Sequence, residues 1–232
     1  MDKYVRATPK SSEMSYNSMY IPSLSGSSKW VNLLATILLP YFFLNVHFIE
    51  QSPQQDAAPD FSLIDLEGNT HQLSQYKDQY VVLEWLNLRC RTVDRLYKTG
   101  VIPALQQQLG DEEVVWLSIA SPEIGKGEGT VSIEQLKRRI EKRGGQQAAV
   151  LLDEMGQVGT LYGVSIEPYF VVIGPDGKML YEGAFDNVPD PRAEQNEEPL
   201  NYVEATIEQA RRGEEVKIRI TEPYGCEVKS RR

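Results

Sequence analysis

Between residues 58 and 229 the chain switches repeatedly between alternating stretches, unbroken apolar runs and stretches of helical period. Phe61-Ser62-Leu63-Ile64-Asp65-Leu66 alternates imperfectly, as a half-buried strand does. Glu67-Gly68-Asn69 is turn chemistry and Thr70-His71-Gln72-Leu73 returns, which predicts a β-hairpin. Tyr80-Val81-Val82-Leu83-Glu84-Trp85-Leu86 is a nearly continuous β-prone run, the mark of a central buried strand. A helix is predicted from Cys90 through Gln108, with Leu96, Ile102, Leu105 and Leu109 as its apolar face and Pro103 as the place where it kinks or divides. Val114 to Ala120 predicts a second central strand, and the glycines of 121–130 a loop. Ser132 is an N-cap with Gln135 completing a capping box, for a helix that runs to Arg143 and stops at Gly144-Gly145. Ala148 to Leu152 reads as a short strand and Gln157 to Tyr162 as a short helix. Tyr169 to Ile173, the turn Gly174-Pro175-Asp176-Gly177, and Lys178 to Gly183 form a second hairpin. An acidic surface loop over 186–198, a final amphipathic helix from Leu200 to Arg212 and a short extended run from Val216 to Ile220 complete the chain. Strands alternating with helices imply an α/β domain whose mainly parallel central sheet becomes mixed through antiparallel edge strands and is flanked by helices.

The pattern ahead of this domain is different. Residues 1–29 are rich in Ser, Tyr, Pro and Met and carry neither period, which predicts a disordered tail. Residues 30–49 hold no side chain formally charged at neutral pH and are long enough to span a bilayer as a helix, although Asn32, Pro40, Asn45 and His47 weaken the run. Lys3, Arg6, Lys10 and Lys29 precede it, while Glu50 and Asp56 follow. The positive-inside rule then puts the tail in the cytoplasm and the main domain on the extracytoplasmic (periplasmic) side. A cleavable signal peptide is the rival reading. The long tail and the want of a clear small-x-small site after the apolar run favour an uncleaved signal-anchor. Residues 50–57 read as a linker.

Composition narrows the chemistry. The 232 residues carry a net charge of -9, which argues against a nucleic-acid partner, because phosphate binding needs clustered Lys and Arg. The basic run Arg138 to Arg143 reads as a solvated helix face. A structural zinc site needs four ligands, mostly Cys and His, and the chain has only Cys90, Cys226, His71 and His47, the last of them inside the hydrophobic segment. Gly125 to Thr130 lacks the full phosphate-loop spacing, and the carboxylates of 186–198 lack that of an EF-hand. Neither a metal nor an organic cofactor is expected.

Ala58-Pro59-Asp60-Phe61-Ser62-Leu63, followed by Asp65-Leu66-Glu67-Gly68, resembles the opening of redoxin domains, the group that contains alkyl hydroperoxide reductase and thiol-specific antioxidant (AhpC/TSA) proteins. Val81-Val82-Leu83-Glu84-Trp85, then Asn87 and Cys90, is similar to their first central strand and active-site turn. Ile166-Glu167-Pro168-Tyr169-Phe170-Val171-Val172-Ile173 with Gly174-Pro175-Asp176-Gly177 resembles the cis-proline strand and hairpin of thioredoxin folds, and Tyr224-Gly225-Cys226 a tail of an exported branch. The resemblance covers about residues 58–229. It implies a thioredoxin-like fold, a thiol oxidoreductase acting on peroxides or protein disulfides with an external thiol as reductant, and a cis bond before Pro168. Three positions depart from the pattern. Val93 stands where thioredoxins have the second cysteine of Cys-x-x-Cys, Asn87 where peroxiredoxins have Thr, and Arg91 where many exported relatives have Pro.

Cys90 falls where a strand ends and a helix begins, so backbone N–H groups, the helix dipole and Arg89, Arg91 and Arg95 all favour thiolate. It is the candidate nucleophile; the alternative is an inert or structural cysteine. Cys226 is the candidate resolving cysteine, or else one half of a permanent clamp on the tail, and whether the two meet is left open by the sequence. Trp85, Asn87, Arg91, Glu167 and Pro168 are the candidate substrate-binding residues. Glu84, inside a buried-looking strand, is a candidate proton relay, or else a carboxylate that reaches solvent or pairs with a basic group. Two functions remain: a membrane-tethered thiol oxidoreductase using Cys90, and a non-catalytic thioredoxin-fold binding module in which both cysteines are structural.

Overall fold

A computed structural model describes residues 57–120, 131–190 and 199–228. All of them lie in one compact unit, Pro53–Arg232. The expected tail 1–29, the span 30–49 and linker residues 50–56 fall outside the described residues, as do loop residues 121–130 and 191–198. Among the described residues no helix is long and apolar enough to cross a membrane.

The first hairpin pairs β1 (Ser62–Asp65) with β2 (Thr70–Gln72). Asp65 fastens its turn: Oδ1 accepts the N–H groups of Glu67 and Asn69 at 2.9 and 2.8 Å, and Oδ2 lies 2.8 Å from His71 Nε2. Burial opposes charge on Asp65, but the bonds from His71 and Asn69 outweigh it and hold its carboxyl well below the ordinary range.

β3 (Val81–Leu86) is buried at every position, as its unbroken apolar run predicts. The predicted long helix is two helices, α1 (Arg91–Lys98) and α2 (Val101–Asp111). Gly100, at φ +78°, divides them, because the chain must enter a left-handed conformation there. Pro103 does not divide anything. It sits in the first turn of α2, where its missing N–H has no intrahelical acceptor to lose. β4 (Val115–Ala120) follows, then α3 (Ile133–Lys142) behind the expected Ser132–Gln135 capping box. β5 (Ala149–Leu152), α4 (Gln157–Leu161), β6 (Ile166–Glu167), β7 (Tyr169–Ile173), β8 (Met179–Gly183), α5 (Tyr202–Arg211) and β9 (Cys226–Glu227) complete the order.

Seven strands form one sheet in the order β2-β1-β5-β4-β3-β7-β8. Only β3–β4 and β4–β5 are parallel, whereas β1–β2, β1–β5, β3–β7 and β7–β8 are antiparallel. The sheet is therefore mixed but not mainly parallel. The first hairpin docks back on β5, and the chain reverses through Pro168 to lay β7 against β3. Alternation along β3 divides the interior into two cores. Val82 and Leu86 pack with apolar side chains of α1, α2, α3 and α5, while Val81, Leu83 and Trp85 pack with Phe61, Val158 and Tyr162 on the other face.

The expected run 216–220 forms no strand. It is joined to the edge of β8 by a single parallel bridge, Glu182 to Ile220, with Glu182 N–H donating to Arg219 O and Thr221 N–H to Glu182 O. The chain then crosses to β6, where β9 adds antiparallel, and β6 and β9 form a small separate sheet.

Candidate functional site

The turn after β3 is built by Asn87. Its side-chain oxygen accepts the Arg89 N–H at 3.0 Å and its carbonyl the Cys90 N–H at 2.9 Å. This places Cys90 at the N-cap of α1, with its own carbonyl accepting the Asp94 N–H at 2.9 Å. The side chain is 2% exposed.

β9 brings Cys226 to the same point. Glu167 and Cys226 are opposed in the β6–β9 ladder, and Val228 N–H extends the pairing to Ser165 O at 2.9 Å. Cys90 and Cys226 are joined by a disulfide, Cα to Cα 5.8 Å, across 136 positions of sequence. The Glu167 carbonyl oxygen lies 3.4 Å from Cys90 Sγ, and the Glu167–Pro168 peptide bond is cis, as the resemblance implies. Gly225 makes the approach possible. Its φ is +143°, and a Cβ there would collide with the Glu167 carbonyl and touch the Pro168 ring. The tail is also held upstream: Thr221 Oγ1 accepts the Ala184 N–H at 2.9 Å and meets Tyr181 Oη at 2.5 Å, and Tyr224 Oη donates to Asp186.

Of the residues expected at the site, Cys90, Cys226, Glu167 and Pro168 come together. Asn87 is present as the residue that shapes the turn. Arg91, the first residue of α1, is exposed on the rim. Trp85 is not brought to the disulfide. It points from β3 into the opposite core, 2% exposed, its ring 5.4 Å from that of Tyr162 and 5.9 Å from that of Tyr169, so its expected place at a substrate pocket is corrected.

Glu84 faces the core that contains Cys90 and is fully buried. Four donors converge on its Oε2: Trp116 Nε1 and Ser118 Oγ at 2.7 Å, Tyr97 Oη at 2.9 Å and Gln106 Nε2 at 3.3 Å. Burial raises its pKa above the ordinary value, and these hydrogen bonds only partly offset that. Burial and the neighbouring Glu84 together push the Tyr97 phenol well up. Because Tyr97 belongs to α1, this cluster ties the helix capped by Cys90 to the centre of the sheet. Ser118 was missed at the level of sequence, its one signal being a polar residue inside the second central strand; the register sets it directly opposite Glu84. Tyr97 and Gln106 come from helices and left no such signal.

The sequence profile of the AhpC/TSA family matches residues 54–182, more than half of the chain. This chain belongs to the AhpC/TSA family. The chain is similar to the thiol-disulfide oxidoreductase ResA of Geobacillus thermodenitrificans, 28% identical over 124 residues, and to that of Geobacillus kaustophilus, 27% identical over 124 residues. Each alignment covers 53% of this chain and 64% of the relative, so the match extends over less than two thirds of those proteins. Among solved structures, an uncharacterized conserved protein of Geobacillus kaustophilus superposes with TM-score 0.62 at 22% identity, covering 76% of this chain and 91% of that one. A hypothetical protein of Sinorhizobium meliloti superposes with TM-score 0.60 at 22% identity, covering 75% and 93%. These two likenesses concern the fold alone.

Proposed function

We propose that this AhpC/TSA-family protein is a membrane-tethered thiol–disulfide oxidoreductase whose working bond is Cys90–Cys226. The observation that carries the reading is where that bond lies: one sulfur sits at a strand end on a helix N-cap, and the other on a tail strand laid along β6 beside Pro168. The similarity to ResA proteins supports exchange with protein disulfides over peroxide reduction.

In the oxidised chain Cys226 is the more exposed of the two residues. A thiolate of an external dithiol attacks Cys226 Sγ, the Cys90–Cys226 bond breaks, and Cys90 leaves as a thiolate that the helix start stabilises. The second thiol of the reductant then attacks the mixed disulfide and releases Cys226. Two electrons and two protons have moved to the chain, and the reductant leaves as a disulfide. In the reduced chain Cys90 thiolate attacks a substrate disulfide, one substrate thiolate departs, and Cys226 resolves the mixed bond, restoring Cys90–Cys226 and releasing the second substrate thiol. The seat of the tail on Thr221 and Tyr224 keeps Cys226 within reach for that step. Residues 30–49 provide the tether, with the domain on the extracytoplasmic side, as the charge asymmetry around that segment supports.

The test uses the full chain in detergent. Without denaturant, a dithiol should reduce Cys90–Cys226, the reduced chain should pass its electrons to a protein disulfide, and Cys226→Ser should trap a mixed disulfide on Cys90. Oxidation of the reduced chain by hydrogen peroxide should be no faster than that of a free cysteine. A disulfide that yields only on unfolding would replace this reading with the binding module. Rapid peroxide oxidation would replace it with a peroxidase.

A further inference from the structure

A strongly cationic depression lies beside the turn that carries Cys90, and two separate parts of the chain build it. Arg89 and Arg91 flank Cys90 on the turn and the first position of α1. Arg139, Lys142 and Arg143 come from the last turn and C-cap of α3. Together with Asp94 they line an open depression of about 530 Å³. The lining holds five cationic side chains and one carboxylate, on a chain whose net charge is -9.

That carboxylate is already taken. Asp94 accepts from Arg143 Nε at 2.9 Å and pairs with Lys98 at 2.5 Å. Arg91, Arg139 and Lys142 are exposed and have no ion-pair partner among the described residues. Cations at the end of α3 complement its own dipole, which accounts for their presence on that helix. It does not account for their facing Arg91 and the positive start of α1. Asp94 offsets Arg143 and Lys98, but Arg91, Arg139 and Lys142 are brought together from two elements with no anion of their own among the described residues, and like charges so placed repel unless a further anion lies between them.

We propose that this depression is a docking subsite for an acidic peptide segment of the protein that exchanges thiols with Cys90–Cys226. The inference deepens the oxidoreductase reading and rests on it. The depression is open rather than enclosed and presents its charge as separate long side chains. It therefore suits an extended chain bearing several carboxylates, each meeting one cation, with the partner cysteine held over the disulfide.

The test separates docking from exchange. A peptide of alternating Asp and Glu around a central serine, which has no thiol, is titrated into the full oxidised chain by fluorescence anisotropy, alongside its Asn and Gln counterpart and a short oligonucleotide. At about 0.01 M salt, where the Debye length is about 30 Å, the acidic peptide should bind about tenfold more tightly than its neutral counterpart. The difference should vanish near 1 M salt, where the Debye length is about 3 Å. Arg139→Gln combined with Lys142→Gln should abolish the preference while the domain stays folded, with only the small fall in melting temperature that losing two cations at the end of α3 causes. Equal binding of acidic and neutral peptides, a preference that survives the double substitution, or tighter binding of the oligonucleotide would overturn the subsite. The same acidic sequence with cysteine in place of serine tests the underlying reading. If the serine peptide docks and the cysteine peptide, offered as its disulfide to the reduced Cys226→Ser chain so that no second thiol can expel it, forms no mixed disulfide on Cys90, the docking subsite stands and the oxidoreductase reading falls.

Discussion

Glu84 is a carboxyl group in the middle of a β-strand, out of reach of water, with four hydrogen-bond donors gathered on one oxygen. Its raised pKa has a definite sign as a stability term. Above the ordinary value of 4.5 the unfolded chain has released this proton while the folded chain still holds it, so raising the pH favours unfolding until the folded group also ionises. Asp60, Asp65 and Asp94, whose pKa values are lowered, work in the opposite direction over the acid range. The contribution of Glu84 is therefore read as a difference. Denaturant midpoints of the wild type minus those of Glu84→Gln, followed upward from pH 4.5, should fall, and a flat difference would contradict the burial argument. At this scale the sequence was legible where neighbours along the chain decide the outcome. Cys90 at a strand end and Glu84 inside an apolar run could both be read directly. Trp85 was misplaced because adjacent strand residues point to opposite faces, so one that follows an inward Glu84 belongs to the other core.

The C-terminal strand depends on a glycine. β9 has only two residues, too few for any periodicity to announce it, and its register with β6 is fixed where Gly225 passes the Glu167 carbonyl. Gly225→Ala would have to lift the tail off β6 and take Cys226 with it. We expect that variant to fold, since only the tail must shift, and to hold its disulfide less firmly by about 1–3 kcal/mol, the cost of strain at one special backbone position. On a two-electron scale that is a reduction potential higher by about 20–60 mV, measurable by equilibration with a dithiol buffer. An unchanged potential would show that the close approach is relieved at no cost. The other elements show the same division between local and distant causes. The capping box of α3 and both hairpins are written in adjacent residues. Gly100 rather than Pro103 ends α1, because a first-turn proline is harmless. The docking of β1 on β5 is set by the whole sheet, and no local pattern in either strand specifies it.

For the whole molecule, the proposed tether puts the redox domain on a leash at a membrane surface. Protease added to intact cells after permeabilisation of any outer barrier should digest the domain at or after residues 50–57 and leave a membrane-embedded fragment containing 30–49. A domain that stays soluble after alkaline extraction, or is protected from protease, would refute the tether or its orientation. The disulfide adds a second constraint, joining points 136 positions apart. In the chain-entropy account a closure of that length stabilises the fold by about 5 kcal/mol. It also changes how the protein bears load. In the oxidised chain the two sulfurs short-circuit the covalent path, so tension between the N-terminus and a partner gripping the tail runs from β3 through the bond to Cys226. Everything from α1 to α5 is then a closed covalent loop outside that path, loaded only through the ladders that hold β3. Reduction removes the shunt, and the same pull would peel β9 from β6 and then draw Thr221 from its seat. An oxidised molecule is mechanically a short handle with a protected body, and a reduced one is a thread that unravels from its C-terminal end.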